Sequence, residues 1–174
     1  SNSIFKEYNV KAIIGTSNPH IEGIPYIGLE KLISNDNESV LKILFPELKN
    51  QQTLNKINEK LVENISLERL LSAVTILDVN TVLKMISNLI NELEKTLNIT
   101  VKNNQRLVLY VHTSALIERM IRNEPLKNYE SNINGKRLQK CLKIKRAFRE
   151  IENTYGIDIG KSESNYIYDI IYNY

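Results

Sequence analysis

Histidine, cysteine and charge imbalance are all scarce in this 174-residue chain, and each scarcity excludes something. A single cysteine, Cys141, rules out an internal disulfide, and with only two histidines, His20 and His112, no Cys/His group has the spacing of a zinc site. The same shortage leaves no Ser/His/Asp or Cys/His arrangement for nucleophilic catalysis, so the chain reads as no enzyme, with no metal and no cofactor. No apolar run approaches the roughly 20 residues that cross a bilayer, and no basic-then-apolar leader opens the chain. A soluble, cytoplasmic protein without a membrane partner is the expectation. The 23 basic and 20 acidic residues leave a net charge of +3, too even a balance for gripping phosphate backbones, so direct nucleic-acid contact is not expected.

What is present is apolar and mostly helical. Hydrophobic residues make up 42% of the chain, enough for an ordinary domain or a small domain plus a fragment of another, so the abundant asparagine is not disorder. Residues 1–34 stand apart: Val10-Lys-Ala-Ile-Ile and Ile24-Pro-Tyr-Ile are strand-like, separated by Gly15, Pro19 and Gly23, and residues 29–33 turn helical. This is the expected tail of an α/β segment, with His20 an idle loop residue. Residues 35–65 read as a helical linker in two pieces, 38–45 and 52–64, parted by Pro46.

Residues 66–174 read as helix after helix. Ser66 is placed as the cap of a short first helix, and Asp78-Val-Asn80 restarts the chain into the clearest amphipathic pattern, Val82, Leu83, Ile86, Leu89, Ile90, Leu93 and Leu97, which ends near Asn98. A central helix over 107–122 stops before Pro125. A fourth helix is expected to carry Leu138, Leu142, Phe148 and Ile151 inward and to end at Gly156, and Ser162 to cap a last helix bearing Tyr166, Ile167, Ile170 and Ile171. The expected fold is all-α, a five-helix bundle.

One narrow file breaks the apolar coat of the central helix. Gln105, His112 and Arg119 lie seven residues apart, and a helix drifts only about 20° per seven residues, so the three nearly align along one edge. Arg119 follows His112 by two turns, roughly 10.5 Å, and its side chain tilts back toward the imidazole. Such a cation depresses the imidazole pKa and favours an anion there, a phosphoryl group for instance. His112 is therefore the candidate reactive group, with Arg119 and Gln105 as candidate supports. A lone histidine among apolar neighbours is more often a satisfied structural residue, and that reading stands beside the reactive one.

Other candidates are weaker. Gly156-Ile-Asp-Ile-Gly160-Lys161-Ser162 has three residues between its glycines where a nucleotide-binding loop has four, and it follows a helix, so it is rejected. Lys136, Arg137, Lys140, Lys143, Lys145, Arg146 and Arg149, with no acid between them, read as a solvated face, with an acidic partner second and nucleic acid third. Glu118 and Glu124 are expected in solvent, Cys141 in the core, and Tyr155, Tyr166, Tyr168, Tyr172 and Tyr174 in core and interface packing.

Four separated stretches in order resemble a known family: Ser66-Leu-Glu-Arg-Leu-Leu-Ser-Ala-Val-Thr-Ile-Leu-Asp, Leu109-Tyr-Val-His-Thr-Ser-Ala-Leu-Ile-Glu-Arg-Met-Ile, Ala147-Phe-Arg-Glu-Ile-Glu and Ser162-Glu-Ser-Asn-Tyr-Ile. They are similar to the C-terminal PRD, the phosphotransferase-system regulation domain, of the levanase-regulator type of sigma-54-dependent transcription activators. Lys11-Ala-Ile-Ile-Gly-Thr-Ser-Asn-Pro-His-Ile-Glu-Gly-Ile-Pro-Tyr-Ile resembles the end of the enzyme-IIB-like segment before it. The resemblance implies a five-helix PRD bundle over 66–174 that forms a homodimer and takes a phosphoryl group on His112 from HPr or a sugar-specific IIB protein, with Arg119 beside it. Transport state would thereby control transcription of sugar-uptake genes. A phosphocarrier that passes the group onward, or an interaction module with an inert His112, are the alternatives. Two features depart from the family: residues 138–149 lack a second histidine, and Gly160 stands where proline is common.

Overall fold

A computed structural model describes residues 7–127, 129, 133 and 135–174, and the chain divides into two units, Ser1–Leu61 and Val62–Tyr174. In the first, two short strands, β1 (Ile13–Gly15) and β2 (Tyr26–Gly28), pair in parallel with Ile13 opposite Tyr26. The turn between them uses Gly23 at φ +78°, a left-handed conformation that costs glycine nothing. Helices α1 (Leu29–Leu32) and α2 (Glu38–Leu44) follow, and α2 ends because Pro46 bars Phe45 from helical geometry.

The stretch read as a linker does more than connect. Leu41 of α2 and Leu54 of α3 (Gln51–Ala73) close an apolar cluster with Ile27 and Leu32, and Phe45, Ile57 and Leu61 pack against it. The first unit therefore runs on through residue 61, because the α/β piece has too little apolar surface of its own to form a core.

Helix α3 continues past residue 66 without a break, so Ser66 is not a cap. Its hydroxyl donates back to the Val62 carbonyl at 2.7 Å, inside a buried stripe shared with Val62 and Leu70. The next start is where the sequence puts it. Asp78 accepts from the Thr81 N–H at 2.8 Å and begins α4 (Val79–Leu97), which buries Val82, Ile86, Leu89, Ile90 and Leu93 and ends on Asn98 at φ +53°. Helix α5 (Asn103–Ile121) is the helix expected around His112.

The expected fourth helix is two: α6 (Gly135–Ala147) and α7 (Arg149–Tyr155), separated at the fully buried Phe148, with Gly156 closing α7 at φ +64°. The inward face is corrected as well. Cys141, Ile144, Phe148 and Ile151, at three- and four-residue spacing, are buried, whereas Leu138 and Leu142 are 37% and 50% exposed. Helix α8 (Lys161–Asn173) is capped at Gly160, two residues earlier than the expected Ser162 cap, and the Ser164 hydroxyl donates back to the Gly160 carbonyl. Four helices pack in a closed order, α4 on α5, α5 on α8, α8 on α6 and α6 on α4. Among the described residues the chain has eight helices and one two-stranded sheet, a mostly α fold with a short α/β piece. No described helix is long and apolar enough to cross a membrane.

Candidate functional site

The polar file on α5 is the seam along which α5 meets α8, and each of its three residues reaches across. Gln105 Nε2 donates to the Ile171 carbonyl at 2.7 Å, His112 Nδ1 lies 2.7 Å from the Tyr166 hydroxyl, and the Arg119 guanidinium donates to Glu163 at 3.0 and 3.3 Å. Ascending on α5 means descending on α8, so the two helices run antiparallel along a three-rung ladder. Seven-residue spacing on α5 keeps the rungs in line, and Glu163 and Tyr166, three apart, share one face of α8.

Each rung has its own physics. The Ile171 carbonyl is among the last four of α8, which have no partner within their own helix, so the Gln105 amide supplies one. The amide oxygen of Gln105 accepts from the Lys102 N–H at 2.8 Å, covering the start of α5 as well. Gln105 thus spends both ends of its amide on backbone termini and is not brought to His112.

At the second rung, burial and then the positive charge of Arg119 hold the His112 pKa below its ordinary 6.5, so the ring is neutral at neutral pH. The ring is partly exposed, and its Nε2 has no hydrogen-bond partner among the described residues. Tyr166 meets it edge-on, with ring centroids 5.4 Å apart and planes at 72°. Burial raises the Tyr166 pKa further above neutrality, so the phenol keeps its proton.

At the third rung Glu163 is only 1% exposed and has two donors, Arg119 and the Leu126 N–H at 3.0 Å. A carboxylate so deeply placed needs both. The Arg119 Nε, by contrast, is buried with no partner among the described residues.

Behind Tyr166 lies a supporting layer. The Tyr129 ring packs edge-on against it at 5.2 Å, and the Tyr129 hydroxyl donates to Asp169 at 2.7 Å. Burial and the neighbouring Asp169 push the Tyr129 pKa up to about 12. Arg137 donates to both Asp169 oxygens at 2.8 Å and to Asn165 Oδ1 at 2.7 Å while lying over the Tyr168 ring at 4.3 Å. Tyr166 therefore packs between the His112 and Tyr129 rings, and the Tyr129 ring is anchored through Asp169, which Arg137 pairs.

Several expectations meet a different structure here. Tyr166, expected in packing, holds the imidazole, and its signal in the sequence is the file Glu163, Tyr166, Asp169 at three-residue spacing between buried isoleucines. The basic run is not simply a solvated face, since Arg137 turns onto α8, Lys140 covers the Tyr172 ring at 3.9 Å and Lys145 pairs with Asp158 at 2.6 Å. Glu118 is buried, at 8% exposure, because its carboxylate accepts the Thr75 and Ile76 N–H groups at 2.6 and 2.7 Å. His20 is exposed in its turn, and Cys141 is a buried thiol whose pKa burial raises. No group of His, Cys, Asp and Glu suited to a metal ion occurs among the described residues.

The family model described as "PRD domain" matches residues 87–174, the stretch holding α5, α8 and the whole ladder. The chain is 27% identical over 169 residues to the transcriptional regulatory protein DagR of Salmonella typhimurium (strain 14028s / SGSC 2262), a match covering 92% of this chain and 18% of that protein. It is 25% identical over 167 residues to the transcriptional regulatory protein LevR of Bacillus subtilis (strain 168), covering 94% and 18%. It thus spans about a fifth of the length of either relative. No solved structure matches.

Proposed function

The chain belongs to the PRD domain family, and from that premise we propose that it is a regulatory segment of a bacterial transcriptional activator, controlled by phosphorylation of His112. The donor is HPr or a sugar-specific IIB protein of the sugar phosphotransferase system, and the genes under control serve sugar uptake. The observation that carries the reading is the state of one ring: His112 is neutral, partly exposed, bonded through Nδ1 and free at Nε2 of any partner among the described residues. A nucleophilic nitrogen needs that combination.

The roles of the neighbours follow from their charges. Phosphorylation adds roughly two negative charges and three strong acceptor oxygens. Arg119 is the cation near enough to perturb His112, and it supports the phosphoryl group; Gln105 supports the site at one remove by holding the end of α8. The new charge competes with Glu163 for the Arg119 guanidinium, which loosens the α5–α8 seam. In a homodimer both copies change together, so the effect on subunit packing is doubled by symmetry. The segment itself contacts neither nucleic acid nor membrane, and transcription responds through the rest of the activator.

The reading with an inert His112 has one observation in its favour, that every member of the file already has a partner on α8. A transfer experiment separates the readings. The chain is incubated with phosphoenolpyruvate, enzyme I, HPr and the cognate IIB protein, repurified, sized, and offered to unphosphorylated IIB. A regulatory domain retains its phosphoryl group and changes its oligomeric distribution; a phosphocarrier loses the group to IIB; an inert module takes up none.

A further inference from the structure

The ladder also determines which nitrogen of His112 reacts. We propose that Tyr166 is a positioning residue that directs phosphoryl transfer to Nε2 by occupying Nδ1. The inference rests on the reading of His112 as the phosphoacceptor and adds the regiochemistry and the residue that sets it.

An imidazole free in water offers either nitrogen, and the choice in a protein is made by whatever holds the other one. Here the holder is the Tyr166 hydroxyl, 2.7 Å from Nδ1. It is not a passing contact. The Tyr129 ring abuts Tyr166 at 5.2 Å, Asp169 anchors the Tyr129 hydroxyl at 2.7 Å, and Arg137 fixes Asp169 at 2.8 Å. One turn earlier on α8, Glu163 is tied to Arg119, so α8 cannot shift without breaking the next rung. The phenol is preorganised, and nothing comparable is found at Nε2 among the described residues.

The reacting tautomer carries its proton on Nδ1, donated to the Tyr166 oxygen, and keeps a lone pair on Nε2. That lone pair forms the N–P bond as the donor's P–N bond breaks, its electron pair returning to the donor nitrogen. The Nδ1 proton stays in place. A donor phosphohistidine thereby becomes a neutral imidazole, and the positive charge passes to the His112 ring. The hydrogen bond from Nδ1–H to Tyr166 becomes charge-assisted in that step, which stabilises the product as well as selecting it.

The test uses the full chain with ¹⁵N-labelled histidine, phosphorylated in parallel by phosphoramidate and by the phosphoenolpyruvate-driven protein donors. Phosphorus–nitrogen coupling identifies the bonded nitrogen, and ring ¹⁵N shifts are recorded before phosphorylation. The expected result is phosphorus on Nε2 alone in the wild type. In Tyr166→Phe, which removes only the hydroxyl, the Nδ1 shift moves before any donor is added, and phosphorus then appears on both nitrogens or reaches Nε2 about tenfold more slowly. Phosphorus on Nδ1 of the wild type overturns the proposal without reference to any variant. So do equal rates and identical regiochemistry in the two proteins, an outcome that leaves His112 as the acceptor. If neither donor labels His112, the acceptor reading falls and the directing role falls with it.

Discussion

His112 is where a change of pH reads the environment most directly. Burial and Arg119 both disfavour its charged form, so its NMR titration midpoint is expected below 6.5, and Arg119→Gln is expected to bring it closer to 6.5 without reaching it, since burial is the larger cause. The folded state binds this proton more weakly than the unfolded chain. The ring's contribution therefore leaves stability untouched above pH 6.5 and lowers it as pH falls from 6.5 through the native value, a slope that urea titrations find reduced in His112→Asn. The alignment of Gln105, His112 and Arg119 was legible in the sequence because helical drift over seven residues is small. What they face was not, because Ile171, Tyr166 and Glu163 are 66, 54 and 44 residues away in the chain, and no local pattern encodes that separation.

At the scale of the element, the same distinction separates start signals from their look-alikes. Asp78 and Ser66 both precede helical patterns, yet only Asp78 bonds to an N–H three residues on, while Ser66 sits in mid-helix and bonds four residues back. Asp78→Ala is expected to lower the urea midpoint and Ser66→Ala to leave it nearly unchanged. The inward face of α6 gives a sharper comparison. Ile144 is fully buried, so Ile144→Ala is expected to cost about 2–5 kcal/mol, whereas Leu142→Ala, at a half-exposed position, is expected to cost under about 1 kcal/mol. Reversed magnitudes in denaturant titrations contradict the assigned face. The expected face set Leu138 and Leu142 beside Phe148 and Ile151 on apolar character alone, whereas it is Cys141, Ile144, Phe148 and Ile151 that hold the regular three- and four-residue spacing. Caps and terminators that act locally, Asn98, Gly156 and Pro125, were all readable in place.

For the whole molecule, membership of the PRD family is legible from four ordered stretches of sequence, and the match over 87–174 bears it out. The extent of the first unit was less legible, because a helix that repeats every four residues, as Ile57, Leu61 and Ile65 do, packs equally well on any apolar surface, and only the fold shows that Ile57 and Leu61 join Ile27 and Leu32. In the second unit the closed order of α4, α5, α8 and α6 places a neutral imidazole, an arginine and a buried carboxylate along one seam, the arrangement on which the proposed charge-driven switch rests. The measurement that tests this most directly is site-resolved labelling of the chain by phosphoenolpyruvate, enzyme I, HPr and the cognate IIB protein. The expected result is one acid-labile phosphoryl group per chain, mapped to His112 and absent from His112→Ala, with His20 unlabelled. Label that survives in His112→Ala, or no label on the wild type under conditions where IIB itself is phosphorylated, contradicts it.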